Sequence, residues 1–382
     1  MKKRILFSVL IIALASNSCG KTSTGSDKPK PPAPTVHDSR FATLLDSLRY
    51  EYDLPALAAA VVADTGVVEA RAVGCRRYAG EANVTDNDQF HLGSDTKAIT
   101  GVLIGYLVDD GLLTWDTTLP ALFPEYAEIM KDQYQSVTVK DVLSHGGGLV
   151  GNVTFQMTTA ALVEQRREVT SWALQQNPTN ARGTYNYSNV GYIITAAIAD
   201  KLTGRPYEDL LFERVLGPLG ITTAGWGPMG TIGLEDQPLQ HTPKYKPVEP
   251  TELSDNPPVY NSAGRLHMSI GDWGRYIQWV LACEAGNPVG LSPETAAVLT
   301  TGACSMPGEG SYSAGWIVLQ REWAEGKALT HSGSNTYNFA VAWLAPNKKF
   351  GVIAATNICA STTPGSMDAV IGKLIEYHLS GR

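Results

Sequence analysis

Several chemistries are excluded by what this 382-residue chain does not contain. Its seven histidines form neither a His-x-His nor a His-Glu-x-x-His pair, so no metal is expected, and no cofactor motif is present. It has no Gly-x-Ser-x-Gly, so the glycines of His145-Gly146-Gly147-Gly148 read as a turn after a helix and not as part of an α/β-hydrolase oxyanion loop. It has no Glu-x-x-Leu-Asn segment of the kind that positions a hydrolytic water. No basic patch appears and the net charge is −7, so nucleic acid is not an expected partner. No internal repeat is visible. Its N-terminal apolar run, Ile5 to Ala15, is too short to span a membrane as a permanent anchor.

What is present describes an ordinary globular protein with ample length for a large core: 43% hydrophobic and 18% charged residues. Met1-Lys2-Lys3-Arg4 followed by the apolar run reads as a signal peptide over 1–18. Cys19 is the candidate lipidation site, as in bacterial lipoproteins. Residues 19–37, polar and proline-rich, read as a tether that holds the folded part off a membrane facing the periplasm or exterior. The membrane is then a partner through the lipid anchor only. Four other cysteines remain, Cys75, Cys283, Cys304 and Cys359. Three pairings are open to them. Cys283 with Cys304 is the nearest in sequence, and buried free thiols are the alternative.

Strand patterns lie at both ends of the remaining chain. Ala56–Ala63 and Val67–Cys75 form a hairpin about Asp64-Thr65-Gly66, and four more strands fall between Trp316 and Ile358. Helical periodicity fills the middle, with Thr158–Gln175, Val190–Leu202 and Tyr207–Leu216 the clearest cases. Residues 228–258 are proline-rich and structureless on pattern, which suggests a rim or lid. The expected architecture is α+β. One antiparallel sheet forms from both chain ends (about 38–110 and 261–382), flanked by helices, and an all-helical subdomain (about 111–260) is inserted.

Three polar sites stand out. Ser94 and Lys97 open an apolar helix that Asp109-Asp110-Gly111 ends; Ser94 suits its N-cap or first turn. Three residues is nearly one turn, so both side chains share a face. A serine hydroxyl needs a base to become a nucleophile, and a lysine amine serves when burial keeps it neutral. Tyr187-Ser188-Asn189 is the chain's only Tyr-x-Asn. A phenol there can shuttle a proton, and an asparagine amide can hold a substrate amide, although a packed ring and a helix-capping asparagine would look the same. His331-Ser332-Gly333-Ser334 ends a strand, and Gly333 permits close approach of a substrate lying along it.

In this order the three pieces resemble the signature set of penicillin-recognising serine enzymes: class C β-lactamases, D,D-carboxypeptidases, D-aminopeptidases and related esterases. Thr138 to Leu149 and Asn261 to Ser269 are similar to two further family segments, with Arg265 where the family usually has glycine. The resemblance implies the β-lactamase/transpeptidase-like fold and a serine hydrolase working through an acyl-enzyme. Ser94 would be acylated, with Lys97 and Tyr187 sharing the proton work. Asn189 would bind substrate amide, and the backbone N–H groups of Ser94 and Ser334 would hold the oxyanion. His331 replaces the lysine of the β-lactamase Lys-Thr-Gly, so peptidase, amidase or esterase activity is expected ahead of β-lactam hydrolysis. Ser332 and Ser334 would still offer hydroxyls to substrate. The implied substrates are small molecules or peptides, peptidoglycan-derived ones among them. Two alternatives are a true class C-like β-lactamase and a non-catalytic surface binding protein.

Overall fold

A computed structural model describes residues 33–35 and 37–381. The expected signal peptide (1–18), the lipidation candidate Cys19 and most of the expected tether (19–37) lie outside the described residues. The architecture is organised about an eight-stranded sheet. In chain order its strands are β1 (Ala56–Ala63), β2 (Gly66–Gly74), β3 (Cys304–Ser305), β4 (Ser311–Ser313), β5 (Trp316–Arg321), β6 (Gly326–Ser334), β7 (Phe339–Ala345) and β8 (Phe350–Thr356). Their order across the sheet is β2-β1-β8-β7-β6-β5-β4-β3, every pair antiparallel. The two chain ends meet where β1 pairs with β8, from Leu57 opposite Thr356 to Ala63 opposite Phe350. The short strands β3 and β4 carry no alternating pattern in the sequence.

β1 is apolar without alternation because both its faces are covered. Ala58, Ala60 and Val62 face one core, together with Trp273 and Ile277 of a helix over Ile270–Glu284. Leu57, Ala59 and Val61 face a second core. There they meet Phe41, Leu45 and Leu48 of the first helix (Arg40–Glu51) and Val370, Ile371 and Leu374 of the last (Thr363–Leu379). Terminal helices therefore close one face of the sheet.

The other face carries the helix that follows Ser94, α1 (Thr96–Asp109), and the inserted region. Gly111, at φ +73°, turns the chain away after α1 as expected. Two longer helices of the insertion, α2 (Leu162–Gln175) and α3 (Asn189–Thr203), pack against each other. The insertion is not purely helical. Gly225–Trp226 pairs with Leu266–Ser269, which also pairs with Gln89–His91, and Gln240–His241 pairs with Pro247–Val248. These pieces, two to four residues long, are too short to leave a period in the sequence. The 228–258 stretch is consequently built into the fold, not a free lid.

Cys75, Cys283 and Cys304 are free thiols, so Cys283 and Cys304 are not joined. The Cys304 thiol instead donates to the Gly183 carbonyl at 3.4 Å, a contact that sequence proximity does not reveal. No helix among the described residues is long and apolar enough to cross a membrane.

Candidate active site

Ser94 does not cap α1. It lies in a 3₁₀ turn, Gly93–Asp95, that precedes the helix, and no side chain caps that turn. Of residues 91–100 it alone is partly exposed. Its hydroxyl is 3.1 Å from the Lys97 amine, as the one-turn spacing requires. The turn is squeezed against the end of β6. A methyl on Gly333 would come within 2.0 Å of the Leu92 carbonyl oxygen and 2.4 Å of the Ser94 nitrogen; one on Gly93, at φ +51°, would come within 2.2 Å of the Ser334 nitrogen. The Ser94 and Ser334 amides are thus brought side by side. Gly333→Ala is expected to cost about 1–3 kcal/mol or more through overpacking and to reduce turnover, measured by urea unfolding and an ester assay.

Lys97 joins the motifs. Its side chain is fully buried. The amine contacts Ser94 Oγ, Asn189 Oδ1 at 2.7 Å and the Ala263 carbonyl at 2.5 Å. Burial pushes its pKa well below the ordinary lysine value, and Asp95 opposes this only in part. The partners agree with a neutral amine. Asn189 Oδ1 and the Ala263 carbonyl can only accept, so they use its two N–H groups. Its lone pair is then left for the Ser94 hydroxyl.

Asn189 is the first residue of α3, but the capping role belongs to Ser188, whose hydroxyl accepts from the Gly191 N–H at 2.9 Å. The Asn189 amide is oriented from both ends, since its Nδ2 donates to Asn152 Oδ1 at 2.8 Å. The Tyr187 ring centroid is 4.8 Å from Lys97 Nζ. Its hydroxyl is shielded from solvent and makes no well-formed hydrogen bond. Burial pushes the phenol upward, with the neighbouring Ser94 hydroxyl opposing weakly, so it holds its proton.

The third motif divides. Alternation along β6 puts His331 and Gly333, opposite Ala342 and Ala340, on the face of the nucleophile turn; Ser332 and Ser334 project to the other. Ser332 and Ser334 are partly exposed, and the Ser334 hydroxyl accepts from the Thr336 N–H at 3.0 Å. His331 was expected against substrate. Its ring is instead 1% exposed, bonded through Nε2 to the Tyr312 hydroxyl at 3.0 Å with Nδ1 3.7 Å from Asp95, one layer beneath the site. β5 pairs with β6 only over Gly326–Thr330. Residues 332–334 therefore run past Trp316, the first residue of β5, and make no pairing with it on that edge, where an extended substrate can be placed.

Sequence reasoning missed the layer under these residues. Asp95 is buried with neither oxygen in a well-formed hydrogen bond and His331 Nδ1 3.7 Å away; burial pushes its carboxyl up, against the pull of His331 and Lys97. His145 adopts φ +62° and packs its ring 4.4 Å from Tyr187 and 4.5 Å from Tyr312. Burial, with Lys97 and His331 nearby, holds it far below the usual histidine range, so it is neutral. The available signal was a histidine opening a glycine run, which the turn reading absorbed. No cluster of His, Cys, Asp or Glu among the described residues could hold a metal.

A sheet assembled from both chain ends, with a Ser-x-x-Lys turn pressed against its β6 strand, defines the β-lactamase/transpeptidase-like class. Residues 39–374 match the model of the Beta-lactamase family, and the chain belongs to that family. It is similar to penicillin-binding protein 4 of Amycolatopsis lactamdurans, at 26% identity over 81% of this chain and 82% of that protein. It is 24% identical to the unguisins hydrolase ungD of Aspergillus violaceofuscus over 86% of its own length, spanning 62% of that protein. Among solved structures, a class C β-lactamase from Rhodobacter sphaeroides superposes with TM-score 0.70 at 17% identity, covering 88% of this chain and 98% of that one. The octameric penicillin-binding protein homologue from Pyrococcus abyssi superposes at 0.68 with 20% identity, covering 84% and 74%. These structural likenesses show the fold.

Proposed function

We propose that the protein is a serine hydrolase that cleaves amide or ester bonds through an acyl-enzyme on Ser94. The observation that carries this reading is the buried Lys97 amine, whose N–H groups are taken by two carbonyl oxygens while Ser94 Oγ stands 3.1 Å from its nitrogen. Ser94 Oγ bonds to the substrate carbonyl carbon as its proton passes to Lys97. The carbonyl oxygen becomes an oxyanion held by the Ser94 and Ser334 amides. Collapse breaks the bond to the leaving amine or alkoxide, which takes the proton from Lys97 by way of the Tyr187 hydroxyl. Water then repeats the sequence in place of Ser94, releasing the acid and restoring the serine. Asn189, beside the site, receives a substrate amide, and the edge of 332–334 that β5 leaves unpaired receives the extended chain that carries it.

Relatives named for binding penicillin and for hydrolysing unguisins support the shared step, acyl transfer to serine, and leave the acyl group to be found. With His331 below the surface, no fixed cation of the third motif faces a substrate carboxylate. This favours amides and esters over β-lactams as substrates.

Intact-mass measurement after mixing with benzylpenicillin, beside Ser94→Ala, tests the reading. A persistent adduct on the wild type alone is expected. Rapid loss of penicillin without an adduct would make the protein a β-lactamase. Absence of both, together with no cleavage of small esters or D-amino-acid peptides, would favour a binding protein.

A further inference from the structure

We infer that Asp255, in the stretch whose sequence looks structureless, is a positioning residue that holds both halves of the oxyanion cradle in register. The inference rests on the acyl-enzyme reading above. The Asp255 side chain has no exposed surface. Its Oδ2 accepts from His91 Nε2 at 2.9 Å and lies 3.5 Å from Arg265 Nε. Its Oδ1 accepts from Asn335 Nδ2 at 3.1 Å and from the Asn256 N–H at 2.7 Å. Burial alone would raise this carboxyl, but His91 and Arg265 hold it below the usual range, so it is an anion.

Each arm ends at a turn with positive φ. On one side His91 Nδ1 accepts from the Gly93 N–H at 3.0 Å, which leaves the Nε2 proton for Asp255. Gly93 sits at φ +51° and its peptide delivers the Ser94 amide. On the other side Asn335 Oδ1 accepts from the Tyr337 and Asn338 N–H groups at 3.2 and 3.0 Å. That closes the turn after Ser334, in which Thr336 adopts φ +80°. Gln240 Oε1 supports the same Asn335 amide at 2.7 Å. One carboxylate thus links the amide of Ser94 to the turn that fixes the amide of Ser334. Both amides must stay aimed at one oxygen, and a non-glycine residue at positive φ, as Thr336 is, persists only when its surroundings over-determine it. The same anion accounts for Arg265. A buried guanidinium needs a counter-ion, and Asp255, 3.5 Å away, supplies it.

An amide cannot replace this carboxylate, because Asp255 accepts on both oxygens while an asparagine would turn an N–H₂ toward one set of donors. With an activated ester such as p-nitrophenyl butyrate, Asp255→Asn is expected to lower kcat roughly ten- to hundredfold, the scale of a small misplacement of catalytic groups, with KM little changed. Affinity for phenylboronic acid should fall in step. That probe adds Ser94 Oγ to boron, passes the serine proton to Lys97 and places a boronate oxygen in the cradle. If Asp255→Asn does not fold, His91→Asn decides: it keeps an acceptor for the Gly93 N–H but removes the arm to Asp255, and kcat should again fall. A wild type that binds phenylboronic acid beside a folded variant of unchanged kcat and boronate affinity, even at lower melting temperature, overturns the inference. A wild type that binds no boronate, with activity surviving Ser94→Ala, overturns the acyl-enzyme reading and this inference with it.

Discussion

Ser94→Ala is expected to reduce ester turnover by about four to six orders of magnitude, the scale on which a nucleophile is lost, while the protein stays folded. The side chain makes one hydrogen bond, to Lys97, whose loss costs about 1 kcal/mol. A serine that merely capped a helix would show the reverse pattern: about 1 kcal/mol of stability lost and turnover intact. The geometry already separates the two, since no side chain caps α1 and the hydroxyl points to an amine. Other hydroxyls at the mouth do not substitute. Ser332 and Ser334 project to the other side of β6, away from the face where Lys97 lies. Turnover of a purified Ser94→Ala sample at more than a hundredth of the wild-type rate would remove Ser94 as nucleophile; a matching circular-dichroism melt would show the loss is not one of folding.

The parts of this site that were legible in the sequence are those set by short spacing. Ser94 and Lys97 are a turn apart, so local geometry brings them together whatever the tertiary fold. Tyr187 and Asn189 flank the start of a strongly apolar helix, so their position at its N-terminus is also local. The sheet was legible because β1 is apolar throughout and its hairpin partner and the late strands are bounded by turn residues. What was not legible depends on contacts between segments far apart in the chain. His331 was placed against substrate from its motif position, but its ring is buried beneath the site by Tyr312 and Asp95, contacts made by other segments of the chain. Asp255 bonds across 164 residues to His91, from a stretch with no periodicity at all. Cys304 lies near Gly183, not Cys283, for the same reason. His145 packs among the rings of Tyr187, Tyr192 and Tyr312, and Asp95 is buried beside His331, placements that exist only once distant segments come together.

Lys97→Met is expected to slow acylation about a hundredfold or more, the usual scale for losing a general base, and to change the pH dependence of both activity and stability. In the wild type, kcat/KM should fall as acid protonates Lys97, because the protonated amine has no lone pair for the Ser94 proton. The stability effect has a sign that burial dictates. Lys97 is depressed well below 10.5 in the folded protein, whereas the unfolded chain titrates near the ordinary value. Between those two pKa values the unfolded chain carries a proton there that the folded protein does not, so folding stability rises with pH through that window. The benefit is complete above the unfolded pKa and is lost as pH falls toward the folded one. Methionine carries no such proton. The stability difference, wild type minus variant, should therefore climb between pH 7 and 10 by up to about 1.4 kcal/mol per pH unit. The absolute offset is less informative, because methionine removes the burial penalty but also strands the Ala263 carbonyl and Asn189 Oδ1, at about 1–3 kcal/mol for each group left buried. The slope is free of that competition. Urea unfolding at several pH values measures it, and a difference that stays flat from pH 7 to 10 would mean Lys97 is charged in the folded protein and unfit as the base.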